Sequence, residues 1–325
     1  MSALLEVEGL SVSIGGTTLV DNLSFALPGS SALGLVGESG SGKTLTLRAL
    51  LGLQPRGATV AGSVRFGGEQ LVGRSERSMS RLRGAELAMV FQDPMSALNP
   101  VQRVGVQVAE GPRLHLGLSR SRAAARAVEL LAKVGLPDPE RTARRYPHEL
   151  SGGMRQRVMI ATALACEPKA VLCDEPTTAL DVTVQAQVLR LLRSACDDLG
   201  AALLFVSHDL AVIRQICRQV AVMYAGRIVE SGPIDGVFAE PRHGYTASLL
   251  RSLPDVDHPG APQPIPGEPA NPYRPPDGCR FHPRCGYVRD ECPTLIPELL
   301  EVLPGHRSAC VHARTGLPEL TEVAR

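Results

Sequence analysis

The segment Gly37-Glu38-Ser39-Gly40-Ser41-Gly42-Lys43-Thr44 constrains this chain more than any other stretch. Glycines at that spacing let consecutive backbone N–H groups turn inward on an anion. A helix starting directly afterwards adds the positive end of its dipole. The surroundings fit, because an apolar run from Ala32 to Val36 precedes the loop and a helical pattern opens near Lys43. Strand, Gly-rich loop and helix in that order form a phosphate-binding unit. Gly37, Ser39, Gly40, Ser41 and Gly42 are the expected cradle, Lys43 is expected to reach the β- and γ-phosphates, and the Thr44 hydroxyl to ligate Mg²⁺.

Two further elements carry chemistry. In Ala170-Val171-Leu172-Cys173-Asp174-Glu175-Pro176 an apolar strand ends in adjacent carboxylates, at the end where open α/β sheets place ligands. Asp174 is expected to hold Mg²⁺, and Glu175 to polarise an attacking water as general base. In Leu150-Ser151-Gly152-Gly153, Ser151 reads as a helix N-cap, and Gly152 and Gly153 leave bare N–H groups behind it. That is a second anion-binding helix start in a chain with one Lys-bearing loop. Either it is structural, or it serves a nucleotide held by another subunit.

The rest of the pattern sets the organisation. Residues 1–36 alternate polar and apolar around Gly15-Gly16 and Pro28-Gly29, which predicts hairpins of an antiparallel sheet. From Asp93 to about Leu150 helical periodicity dominates, with Ala123, Ala127, Leu130, Leu131 and Val134 on one stripe, and an α-helical insertion is expected there. Strand–helix alternation resumes at Ala170–Cys173, Thr183–Leu199 and Leu203–Val206, so a mainly parallel sheet covered on both faces is predicted. The stripe Val184, Val188, Leu191, Leu192, Ala195 and Leu199 is the predicted buried face of that helix. Nine prolines between Pro254 and Pro276 then predict an extended connector.

Net charge near zero (+1) removes any overall electrostatic footprint for nucleic acid, and no apolar run approaches a membrane span. The first residues lack the basic start and apolar stretch of a signal peptide, so an intracellular protein is expected.

The order of these motifs is similar to that of the ABC transporter ATPases: the phosphate loop, Gln92, Leu150-Ser151-Gly152-Gly153, Asp174-Glu175, Ala179-Leu180-Asp181 and His208. The likeness covers roughly the first 250 residues and implies a P-loop NTPase (RecA-like) α/β core with an N-terminal antiparallel β subdomain. It implies a nucleotide-binding domain over 1–250, with its helical subdomain near 93–165. It also implies a head-to-tail dimer with two ATP molecules between subunits. Lys43, Thr44, Gln92, Asp174, Glu175 and His208 would face one ATP, with Gln92 sensing Mg²⁺ and His208 contacting the γ-phosphate. Ser151, Gly152 and Gly153 would face the partner's ATP, and Asp181 would cross the interface. The family's adenine-stacking aromatic is absent from Val12-Ser13-Ile14-Gly15-Gly16, where Ile14 is the stand-in.

Of eight cysteines, Cys166, Cys173, Cys196 and Cys217 lie singly in apolar stretches and read as small core residues. Cys279, Cys285, Cys292 and Cys310 instead crowd the tail, 279–325, beyond a Pro-rich linker at 251–278. Four sulfurs in a short, poorly apolar segment predict a small metal-stabilised C-terminal region, with Zn²⁺ or an iron–sulfur cluster as occupant. The tail, with Pro241-Arg242-His243-Gly244-Tyr245-Thr246, resembles that of the "D"-type ATPases of oligopeptide and dipeptide importers, some of which carry a [4Fe-4S] cluster. The family's usual proline after the histidine is Gly244 here.

The resemblance implies hydrolysis of ATP to drive peptide import at the cytoplasmic face of the cell membrane, with nickel or another metal chelate as the alternative cargo. It implies a second, non-identical ATPase subunit, two membrane-spanning permeases and an extracytoplasmic binding protein, and no nucleic acid. A soluble relative acting on nucleic acid or ribosomes is the remaining alternative. It is disfavoured by the single ATPase unit and the near-zero charge.

Overall fold

A computed structural model describes residues 3–178, 180–253 and 262–318. The chain opens with β1 (Leu5–Ile14) and β2 (Thr17–Leu27), joined at Gly15-Gly16. Both glycines have positive φ, as a two-residue turn between Ile14 and Thr17 requires, so this hairpin is as predicted. The second expected hairpin does not form. After Pro28-Gly29 the chain crosses to another sheet as β3 (Ala32–Val36), whose five residues are all buried. A strand apolar at every position suits a sheet covered on both faces, not an open hairpin.

Helix α1 (Lys43–Leu50) follows, then β4 (Ala58–Phe66), which supplies the other neighbour of β1, and β5 (Glu69–Gln70). These give a four-stranded sheet in the order β2-β1-β4-β5. After α2 (Glu76–Leu82) and β6 (Leu87–Val90) comes the helical run: α3 (Pro94–Ala97), α4 (Val104–His115), α5 (Arg120–Lys133), α6 (Pro139–Ala143) and α7 (Gly152–Leu164). The stripe predicted on α5 is buried, from Ala123 to Val134.

The core resumes with β7 (Ala170–Asp174), α8 (Val182–Leu199), β8 (Ala202–Ser207), α9 (Leu210–Ile216), β9 (Gln219–Tyr224) and β10 (Arg227–Pro233). Helices α10 (Ile234–Ala239) and α11 (Gly244–Arg251) follow, then β11 (Leu300–Leu303) and β12 (His306–Ser308). The large sheet has the order β11-β12-β10-β9-β3-β8-β7-β6. Its β9-β3-β8-β7-β6 portion is parallel, and β10, β12 and β11 add antiparallel at one edge. Alternate residues of β3 feed opposite cores: Leu33 and Leu35 face the small sheet, Ala32 and Val36 the helical side.

On α8 the buried face is Val188, Leu189, Leu192 and Cys196, whereas Leu199 is exposed. The predicted Val184, Leu191 and Ala195 are partly buried against the same core, so the fully buried line is rotated by about one position from the predicted stripe. Cys166, Cys173, Cys196 and Cys217 are buried, as expected.

The tail is built into the main body. Strand β12 pairs with β10, and Phe281 is buried among Tyr224, Tyr245 and His243. Glu230 of β10, fully buried, accepts hydrogen bonds from the backbone N–H groups of Arg242 (2.6 Å) and His243 (3.0 Å) and pairs with His306 Nε2 (2.7 Å). These bonds fasten β12 and the start of α11 to the sheet.

Candidate nucleotide site

The phosphate loop lies between β3 and α1 at the carboxyl edge of the parallel strands. Gly37 has to be glycine, since a Cβ there would sit 2.1 Å from Met223 O. Gly42, with φ 102°, turns the chain into α1 as its N-cap. Beside the loop opens a cleft of about 430 Å³ lined by Ile14, Ser39, Gly40, Ser41, Gly42, Lys43, Thr44, Gln92 and Glu175, and also by Arg48 and Pro272. Pro272 comes from the Pro-rich connector, which motif reading alone assigned no place in the site.

Lys43 is buried, and its Nζ donates to the carbonyl oxygens of Gly37 (2.7 Å) and Glu38 (3.0 Å) and lies 3.7 Å from Glu175 Oε1. Burial lowers its pKa, opposed by Glu175 and Asp174. The Thr44 hydroxyl donates to Asp174 Oδ1 at 2.9 Å. Burial raises the Asp174 pKa, and the Thr44 bond pulls against that. Glu175 takes a left-handed backbone conformation, φ 44°, which is strained for a residue with a Cβ. Its Oε2 meets His208 Nδ1 at 3.0 Å and the Thr178 hydroxyl at 3.2 Å. One carboxylate is thus aimed by an imidazole from the end of β8 while its other oxygen faces the lysine.

Gln92 follows β6 and lines the same cleft, exposed. Ser151, Gly152 and Gly153 do not line it. Ser151 caps α7, accepting from Met154 N at 3.4 Å, and a Cβ on Gly153 would lie 2.8 Å from Val184 Cγ1 of α8. Asp181 caps α8, accepting from Val184 N at 3.0 Å. Its neighbour Ala179 lies outside the described residues.

Cys279, Cys285, Cys292 and Cys310 line one small cavity with His243, Gly244, His282 and His312. Backbone N–H groups of Tyr287 and Arg289 donate to the Cys285 and Cys292 sulfurs at 3.4 and 3.3 Å. Burial pushes Cys279 up to about 11 and Cys285 up to about 12, which favours their neutral thiols. Among the described residues, no three or more His, Cys, Asp or Glu side chains are grouped as they would be around a metal ion. The metal centre expected from the sequence is therefore not seen among the described residues; the structure shows only that the four cysteine residues line one cavity. A Cβ on Gly244 would approach Cys285 Sγ to 2.6 Å, so glycine there leaves room for that sulfur.

A parallel α/β core, a glycine loop opening a helix and a carboxylate pair beside it define a P-loop nucleotide-hydrolysing core, and the Leu150-Ser151-Gly152-Gly153 start of α7 narrows the class to the ATP-binding cassettes. Comparison with known proteins agrees. Residues 20–178 match the ABC transporter family, and residues 229–292 match the oligopeptide/dipeptide transporter C-terminal region. A peptide import ATP-binding protein of Brucella abortus is 48% identical over 313 residues, 94% of each chain. The oligopeptide transport ATP-binding protein OppD of Salmonella typhimurium is 45% identical over 314 residues, 95% of this chain and 93% of that one. Among solved structures, CbiO1 of Clostridium perfringens, part of an ABC transporter complex, superposes with a TM-score of 0.64 at 28% identity, covering 74% of this chain and 92% of that one. The chain belongs to the ATP-binding subunits of the ABC transporter family. ATP and Mg²⁺ are its substrate and cofactor. Among the described residues no helix is long and apolar enough to cross a membrane.

Proposed function

We propose that this chain is the ATP-hydrolysing subunit of an importer of oligopeptides or dipeptides, working at the cytoplasmic face of the cell membrane. The observation that carries the reading is the joint occurrence of a Glu175–His208 pair over the phosphate loop and a C-terminal region of the oligopeptide/dipeptide transporter type. The partners on this reading are a second, non-identical ATPase, two membrane-spanning permeases and an extracytoplasmic binding protein.

The site residues divide between two nucleotides. Backbone N–H groups of Gly37 to Thr44 cradle the phosphates, and Lys43 exchanges its loop carbonyls for β- and γ-phosphate oxygens. Thr44, Asp174 and Gln92 would hold Mg²⁺, which supplies charge neutralisation on the phosphates. Glu175 accepts the proton of the attacking water, while His208 holds that carboxylate in place and reaches the γ-phosphate. Ser151, Gly152 and Gly153 lie outside the chain's own cleft and cap the partner's ATP, with Asp181 at the interface. Hydrolysis therefore needs two chains head to tail.

The four cysteines are proposed to hold a [4Fe-4S] cluster, with Zn²⁺ as the alternative. Their convergence on one cavity and the two N–H donors aimed at sulfur support it. Iron, sulfide and zinc analysis of anaerobically purified protein tests the point, and stoichiometric zinc without sulfide excludes the cluster. The function itself is tested by purifying the native complex and measuring ATPase in vesicles with its binding protein. Stimulation by peptides is expected, and stimulation by a nickel chelate alone would replace the cargo assignment.

A further inference from the structure

The four-cysteine tail reaches the phosphate loop directly. Arg284, adjacent to Cys285 and buried, sends its guanidinium across to Glu38, the second residue of the loop, as a two-pronged pair: Nη1 to Oε2 at 2.7 Å and Nη2 to Oε1 at 3.0 Å. Its Nε donates to Pro266 O (2.8 Å) and Nη1 also to the Tyr224 hydroxyl (3.3 Å), so the fork is held from three sides. Glu38 is held a second time, its backbone N–H donating to the Tyr245 hydroxyl at 2.8 Å. The Glu38 carbonyl is in turn one of the two oxygens that hold Lys43.

A second arm grips the other side of the loop. Arg280 donates to Ala225 O and pairs with Asp21, and the next residue, Gly226, donates its N–H to Ser41 O at 2.9 Å. Both arms come from the segment that carries Cys279 and Cys285.

We propose that Arg284 is a positioning residue for ATP. It cancels the charge of a carboxylate that the loop carries beside its phosphate cradle, and it fixes the backbone that presents Lys43. A planar guanidinium suits this task because its fork matches a carboxylate in one orientation, which an ammonium does not impose. An unneutralised Glu38 would repel the phosphates, and a loosened loop would have to be ordered on binding. The state of the tail thereby sets ATP affinity without any tail residue having to touch the reacting atoms. The inference rests on the ATPase assignment alone and not on the cargo or the metal.

The test titrates Mg-ATP onto the full-length chain and its Arg284→Gln, Arg284→Lys and Arg284→Gln/Glu38→Gln variants, with KM and kcat measured in the assembled transporter. Arg284→Gln is expected to weaken ATP binding about tenfold and to raise KM with little change in kcat. Arg284→Lys should fall between it and wild type. The double variant should regain most of the affinity, which a merely structural role for Arg284 would not allow. Wild-type affinity in Arg284→Gln, or a double variant as weak as the single, overturns the proposal. If Arg284→Gln fails to fold by circular dichroism, Arg284→Lys decides: weaker binding at an unchanged melting temperature supports it, and unchanged binding overturns it. Failure of the wild-type chain to bind ATP would instead strike the ATPase assignment.

Discussion

Replacing Glu175 with Gln isolates the chemical step. The amide has nearly the shape of the carboxylate and can still accept from His208 Nδ1, now 3.0 Å from Glu175 Oε2. What it cannot do is take a proton from water. A positioned general base contributes roughly 10²- to 10⁴-fold, or about 3–5 kcal/mol at ~1.4 kcal/mol per decade. The upper part of that range is expected, because Glu175 is fixed on both oxygens and by its strained backbone. ATP binding should not weaken, since the substitution removes a negative charge from beside the phosphates. It also frees Lys43 from its 3.7 Å contact with Glu175 Oε1. Phosphate release under single-turnover conditions, paired with equilibrium ATP binding, separates the two effects. Turnover within about tenfold of wild type, below the range of a general base, would refute the assignment of Glu175. Lost binding would show that the carboxylate has a different role.

Other expectations follow from the same geometry. Gly37→Ala drives a Cβ against Met223 O at 2.1 Å and should cost about 1–3 kcal/mol of stability together with ATP binding, read by thermal melting and titration. Gly153→Ala places a Cβ 2.8 Å from Val184 Cγ1 and should impair hydrolysis in the assembled dimer while leaving ATP binding by the single chain intact. Equal loss of both would mean that the α7 start serves the chain's own nucleotide. His243 is buried and neutral: its Nδ1 accepts from Tyr245 N at 3.0 Å, and burial pushes its pKa down to about 3 from an ordinary 6.5. The unfolded chain therefore binds the extra proton between those values. Stability that is fully present above pH 6.5 should fall as pH drops toward 3, by at most about 1.4 kcal/mol per unit from this group. Urea unfolding of wild type and His243→Asn between pH 4 and 7 checks it, and parallel profiles would refute it.

Local order of residues determined much of this protein. Gly37 to Thr44 could be read as a phosphate cradle because its chemistry is backbone chemistry, dictated by glycine spacing and a following helix. The parallel strands were legible in the unbroken apolar runs at Ala32 and Ala170, and the helical insertion in its period. Glu175 and His208 were legible as motif members, although 33 positions separate them and only the fold brings Nδ1 to 3.0 Å from the carboxylate.

Other features were decided by tertiary structure alone. Pro28-Gly29 looks like a second hairpin, yet the apolarity of β3 on both faces sends it into the large sheet. The first sheet then takes its third strand from residues 58–66. The tail reads as a separate metal-held module beyond a connector. Folding instead places Phe281 in the main core, β12 on the sheet edge and Arg284 on Glu38, 246 positions away in the chain. A salt bridge across that span leaves no local signal, because neither partner's neighbours anticipate it. Sequence specified which groups could hold a nucleotide, and packing decided which distant segments would hold those groups still.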